Sequence, residues 1–540
     1  MRLITAVLFL AGALSAQTTC SNPASNPVFI RNEGLAELIG DLTFTCSGTG
    51  GAATIKVAIS PALPVTSASL SASGATIAYT EALALTTSGS AQGVIDPTGA
   101  SLTFTSVPIP PGTSTIRITN IRVNASTAPL SVGLSLPIAE SVFIFFAGNT
   151  SPSLIAATPV AYTAIGLGPQ SVAGVTTSGN AYGAPSGAPA AIVACGTQAP
   201  ALPAFFVKFG ESYPLAFKLR GSAATNGSVL AWSSSNTETG YVPAAFPNTP
   251  GASNVATSAT RIKIVITNVP ASTTVYVPVA PSTDTAGQGA LILTASETGP
   301  LSPFAAVVPT AANGLPTGVG APPLAAVPNL GGTVTVIYEV INDSAAVETY
   351  SIPVYLSWPA GTVTTGTAPG ASVSFAPVGA STSIPAFAVS STTTPLTGPS
   401  ILQCFTSLLF PFVSNQLGFD TILVIANTSL DPFANGAIPQ IGTCNLNFYG
   451  SGAPSPPANA PAPLPQGAPG AYPPGSSAVF RLSDVAVGFQ GYMIANCNFQ
   501  FAHGNAFLTS NLGQPSATAM GYLAVVLNRG GASPAESLGN

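Results

Sequence analysis

The chain has one imidazole, His503, in the run Phe501-Ala502-His503-Gly504-Asn505. As a general base it needs a nucleophile beside it and a carboxylate to orient it, and Asp420 and Asp484 are acids of the same segment that could orient it. No Gly-x-Ser-x-Gly elbow supplies the nucleophile, so we read His503 as a structural residue at a strand end. Catalytic zinc takes two or three histidines, which a single one does not provide. Paired carboxylates alone can cleave glycosides. Glu33 and Glu37 lie four apart and would share one face of a helix, but acids on a short helix usually face water. Asp420 and Asp431 sit beside Gly418-Phe419 and Pro432, where they shape turns. Sugar-cleaving sites tend to present Trp platforms, and Trp232 and Trp358 are the only two. Calcium loops and Gly-rich phosphate cradles find no match. These residues predict no catalytic site, no cofactor and no metal, and a chain that is not an enzyme.

Two other residue sets remain. Tyr449, Tyr472, Tyr492 and His503 form a candidate binding surface, since exposed tyrosines stack on sugar rings or peptides; packing in an aromatic core is the competing role. The six cysteines are Cys20, Cys46, Cys195, Cys404, Cys444 and Cys497. Six allow fifteen connectivities. Proximity along the chain favours Cys20–Cys46 and Cys444–Cys497, leaving Cys195–Cys404, and an oxidising compartment is expected.

The composition says where such residues must sit. Only 5% of the 540 residues are charged, against about 25% in typical soluble domains. Twelve Lys+Arg and a net charge of −5 give no cationic footprint for nucleic acid. Heptad periodicity is absent, and 46% hydrophobic residues argue against disorder. Met1-Arg2, an apolar run from Leu3 to Leu14, and Ser15-Ala16 have the three parts of a secretory signal, so residues 1–16 read as a signal peptide. No other stretch approaches the 18 apolar residues of a membrane helix.

Period-two alternation recurs along the chain, in Thr54–Ile59, Ser101–Thr105, Thr115–Thr119, Ile262–Ile266, Thr274–Val277 and Thr333–Val340. Alternation puts one set of side chains on a core and the other toward solvent. Short strands separated by Gly, Pro and Asn predict an all-β fold. It consists of tandem immunoglobulin-like antiparallel β-sandwich domains, Pro/Gly-rich linkers and a distinct C-terminal β-domain. The expected order is a first sandwich over 17–147, a linker over 148–190 and a second sandwich over 191–298. A second linker follows over 299–329, then a β segment over 330–400 that completes the second sandwich or forms a small third one. An aromatic-rich domain over 401–528 and a tail over 529–540 end the chain. Asn32–Gly40 is the sole helix candidate. The Pro-rich insertion Ser451–Ser477 reads as a solvated hairpin tip. Ile116–Ile121 and Ile264–Val269 both end a β-run in Thr-Asn, a faint internal repeat.

Asn32–Asp41 followed by Cys46, Ile116–Asn124, Phe410–Gln416 leading to Gly418–Thr421, and Gly488–Tyr492 with Cys497-Asn498-Phe499 and Ala502-His503-Gly504 carry a resemblance. With them the chain resembles a family of exported, modular β-rich proteins from soil-type bacteria, a family with no assigned activity. The resemblance implies export and a modular β architecture, and brings no catalytic residue. With so little charge, solvent-facing positions must be mostly Ser, Thr, Asn, Gln and Gly, and repulsion between copies is slight. The expected role is a secreted, non-catalytic structural or adhesive protein of the cell surface or matrix, associating with itself or with a surface polymer. The alternative is carbohydrate or peptide binding through the C-terminal domain, and a glycoside hydrolase ranks third.

Overall fold

A computed structural model describes residues 18–529 except 72–75, 130–135, 148–149, 152–153, 177–182, 195–199, 221–236, 242–254, 285–288, 311–313, 318–319, 360–367, 380–381, 390–394, 403–404, 431–438, 455–457 and 511–514. The expected signal peptide lies outside the described residues, as do Trp232, Asp431 and the proposed Cys195–Cys404 bridge. The fold is all-β, in tandem antiparallel sandwiches, as the alternation required. No helix among the described residues is long and apolar enough to cross a membrane.

The first body is built on a twelve-stranded sheet running from Thr18 to Ala164. Strand Gly51–Ser60 shows why it forms: Ile55, Val57 and Ile59 are buried while the residues between them are half-exposed. Two parallel pairings interrupt the antiparallel pattern, Thr18–Cys20 with Thr150–Ser151 and Val28–Arg31 with Leu154–Ala164. The stretch 148–190 is therefore not a plain linker. Leu154–Ala164 belongs to the first sheet, with Val160 and Ala161 buried in its core. Ser171–Thr176 pairs with Phe205–Gly210 of the next body.

The second body packs two six-stranded sheets over one core. One places Phe205–Gly210 and Thr274–Pro278 on either side of Thr349–Ser357; the other places Arg261–Thr267 between Thr333–Asn342 and Gly370–Ala376. Residues from 191–298 and from 330–400 thus fill the same core. The stretch 299–329 also contributes, because Leu324–Val327 pairs with Thr274–Pro278 and buries Leu324, Ala325 and Val327.

The third body stacks a five-stranded sheet on a four-stranded one around Phe410, Leu423, Phe448, Phe489 and Met493. The insertion Ser451–Ser477 folds back onto it instead of standing in solvent. Asn459–Pro461 pairs with Cys444–Ser451, and Tyr472 is fully buried.

Asn32–Gly40 is not helical. Glu37–Leu38 is a short strand against Arg122–Val123, because Glu37 finds its partners inside the protein. The one α-helix described is Leu482–Val485. The two Thr-Asn repeats share a local conformation: Asn120 and Asn268 each end a strand at φ 60° and 57°. That left-handed geometry is one Asn tolerates better than most residues.

Cys20–Cys46 and Cys444–Cys497 are disulfides, each joining residues directly opposite on neighbouring antiparallel strands. The second closes a loop of 53 residues, for which chain entropy predicts a stabilisation of about 4 kcal/mol. Replacing Cys444 and Cys497 together by Ser is expected to lower the midpoint of C-terminal unfolding by several degrees, read by thermal unfolding followed by tyrosine fluorescence. An unchanged midpoint would show that the strands hold without the bridge.

Candidate functional site

The residues singled out in the sequence separate in space. Tyr472 is core: its ring packs against Phe499 at 5.9 Å, and its hydroxyl donates to the Pro463 carbonyl at 2.6 Å. Burial pushes its phenol well above the ordinary value. His503 lies on the outer side of strand Ala502–Ser510, with Nδ1 2.9 Å from the Thr428 hydroxyl. The two acids proposed to orient it are engaged elsewhere. Asp420 accepts from Ser483 Oγ at 2.7 Å, and Asp484 accepts from the Arg481 backbone N–H.

Tyr449 and Tyr492 do come together. They face each other across the pairing of Cys444–Ser451 with Gln490–Cys497, with ring centroids 4.8 Å apart and planes 10° from parallel. Both are exposed. Because each ring covers one face of the other, only the outer faces are open, and the pair offers no flat two-ring platform.

A larger exposed feature lies at the end of the same body. Thr518–Leu523 is the last strand of the four-stranded sheet, and among the described residues nothing pairs with its outer edge. Met520 is 65% exposed and Leu523 76%. After Ala524 the chain crosses to the other sheet, where Val525–Arg529 is again an end strand, paired with Thr406–Ser414. Val525, Val526 and Leu527 are also exposed. One short segment therefore forms an end of both sheets. The outer face beside it is apolar: Val479 lies opposite Val424, and Phe507 opposite Ile422. Such edges are normally protected by Lys, Pro or a bulge. Thr518–Leu523 contains no charged residue and no Pro.

The scarce charges are elsewhere, and sequence reading missed where. Among the described residues, twelve charged side chains are buried, of 29 in the sequence. Their largest cluster lies where the first body meets the second, around Arg31, which follows the apolar run Val28-Phe29-Ile30 at the end of its strand. Nε and Nη2 of Arg31 donate to Glu37 Oε1 at 2.8 and 2.6 Å. Nη2 also lies 2.8 Å from Glu238 Oε1. Nη1 donates to Thr260 Oγ1 at 2.7 Å and to the Ala216 carbonyl at 3.2 Å. All five guanidinium donors are thereby used. The Phe375 and Phe387 rings lie against the group at 5.5 and 4.8 Å.

Thr260 is saturated too. Its hydroxyl donates to Glu238 at 2.7 Å and accepts from the Lys218 backbone N–H at 2.9 Å. Arg122 extends the network, bonding Glu81 at 2.8 Å and the carbonyls of Ala36 and Glu238. Burial by itself would lower the Arg31 pKa, but the carboxylates of Glu238 and Glu37 outweigh it and raise it. Burial likewise works to raise Glu37, and Arg31 and Lys218 overcome it and hold Glu37 below the usual range. Lys218 is lowered, mainly by burial. A network with no solvent-facing atom cannot receive a substrate. What it can do is fix two bodies at one angle. A lone Arg in an apolar strand, in a chain with so few cations, was the available signal.

No protein-family model and no curated protein matches the chain. Among solved structures, the pilus backbone of Streptococcus pneumoniae is similar at 10% identity over 94% of this chain and 93% of that one, with a TM-score of 0.16. A score that low carries no argument, and the fold stands on the sheets described above.

Removing one partner of a buried, fully bonded charge network costs about 3–5 kcal/mol. Arg31→Ala is expected to destabilise by that amount. Arg31→Lys should recover little of it, because an ammonium cannot reproduce the planar fork. Denaturant titration checks both, and a loss under about 1 kcal/mol for Arg31→Ala would show that the joint does not rest on this group.

Proposed function

We propose that this chain is a non-catalytic structural or adhesive protein of the cell surface or extracellular matrix, and that copies associate through the end of the third body. One observation carries the reading: Thr518–Leu523 is an uncharged, Pro-free end strand, exposed on both faces, with an unpaired outer edge among the described residues. Antiparallel strands pair with a second copy of themselves about a two-fold axis, so the edge is self-complementary. The burial of so many charges supports the same reading, since it removes from the surface much of the repulsion that keeps copies apart. Two disulfides fit an oxidising, extracellular setting.

Carbohydrate or peptide binding by the third body has one observation in its favour, the open outer faces of Tyr449 and Tyr492. Their mutual stacking at 4.8 Å removes half of that surface, and we rank this reading second.

Sedimentation and negative-stain imaging of residues 17–540 across concentration test the proposal. The wild-type chain is expected to form dimers or larger assemblies. Replacing Met520 and Leu523 together by Lys is expected to weaken assembly by at least tenfold. A wild-type chain that stays monomeric at every concentration overturns the reading.

A further inference from the structure

A second group of acids lies beside the joint between the first two bodies, and here no cation balances it. Glu211 follows strand Phe205–Gly210; Asp343 and Glu348 flank the turn between Thr333–Asn342 and Thr349–Ser357. Glu211 accepts from the backbone N–H groups of Phe217 at 2.7 Å and Glu348 at 3.1 Å. Glu348, fully buried, accepts from Ser344 Oγ and from the Tyr350 hydroxyl, both at 2.8 Å. Asp343 accepts the Ser344 N–H at 2.8 Å, so Ser344 bridges Asp343 and Glu348.

The groups facing this cluster from neighbouring elements are acids, apart from the Arg31 cation, which acts on Tyr213. Tyr350 lies among all three carboxyls, Tyr213 lies within the field of Glu211, and Asp284 binds the adjoining strand through Ser351. Among the described residues, none of the three carboxyls forms an ion pair.

The cluster also touches the connector between the bodies. Gly168 N–H donates to the Gly210 carbonyl at 2.8 Å, and Ser212 N–H to that of Gly166 at 3.0 Å. Leu167 pairs with Glu211 itself. From the first body, Glu33 accepts from the N–H groups of Gly166 and Leu167. Glu211 therefore stands between the connector, which it pairs with at Leu167, and Glu348, with which it exchanges hydrogen bonds.

We propose that Glu211, Asp343 and Glu348 form a lock on this joint, closed in acid and loosened when Glu211 and Asp343 ionise beside Glu348. The proton preference has the required direction. Burial, with like charge from the neighbouring acids, raises Glu211 to about 7 and Asp343 to about 8. Both folded values lie above the ordinary ones. The folded state therefore binds protons more tightly than the unfolded chain, and the stabilisation is complete below about pH 4. It is lost as pH rises through 7 to 8.

Hydrogen exchange on residues 17–540 between about pH 5 and pH 8.5, corrected for intrinsic rates, reads the lock. The expected result is at least a tenfold loss of protection in 165–168, 211–217 and 343–348, with the sheets of the third body unchanged. Glu211→Gln with Asp343→Asn mimics the protonated groups and should reduce that change to under twofold. An equal pH response in the double variant overturns the proposal, as does no response in the wild type. Should the double variant not fold, the infrared band of protonated carboxyl decides on the wild-type chain. A band that persists above about pH 6 and is diminished by Asp343→Asn alone supports the lock; no such band, or one that this single change leaves intact, overturns it.

Discussion

The Arg31 guanidinium is the point on which the arrangement of the first two bodies depends. It leaves the last residue of a strand in the first sheet and ends inside the second body, against a stacked pair of Phe rings. An ion buried to this degree is tolerated only if every donor finds an acceptor, because desolvation costs several kcal/mol per ion. Five donors reach acceptors on Glu37, Glu238, Thr260 and Ala216, which come from four separate stretches of chain. None of these can shift far without leaving a charge unpaired. The network thus acts as a geometric specification of the joint more than as a source of stability. Asn120 adds a neutral clasp, exchanging two hydrogen bonds with the Tyr241 backbone.

The same constraint explains the distribution of charge over the molecule. Arg122 with Glu81, and Arg261 with Glu339, repeat the pattern of a buried Arg held by a carboxylate and backbone carbonyls. Charges committed in this way are unavailable to the surface, which is left to small polar residues and, on the third body, to apolar ones. A surface with little charge and an open edge favours association, and the buried ions hold the first two bodies together.

Much of the fold was legible in the sequence, because alternation with period two is a local property that a sheet reads directly. Ile55, Val57 and Ile59 are buried because they alternate, and Ile262, Ile264 and Ile266 for the same reason. The two described disulfides followed from nearness along the chain. The helix at Asn32–Gly40 was misread because Glu33 and Glu37 suit an exposed helix as well as they suit a buried bonding site, and only their distant partners distinguish the two. Tyr449, Tyr472 and Tyr492 look alike in sequence, yet one is core and two form an exposed stack. Strand pairing, set by residues far away, makes that difference.

By itself, then, the sequence determined that the chain is β-rich, poor in charge and cross-linked by cystine, since composition, alternation and cysteine spacing are properties of residues taken in order. The tertiary structure alone decided which charges are buried, which sheet each strand joins and which edge stays open. The physical reason is that Arg31, Glu238 and Thr260 are separated by up to 229 positions and meet only after the sheets have formed. An unpaired edge, likewise, is defined by the strand that does not arrive beside it.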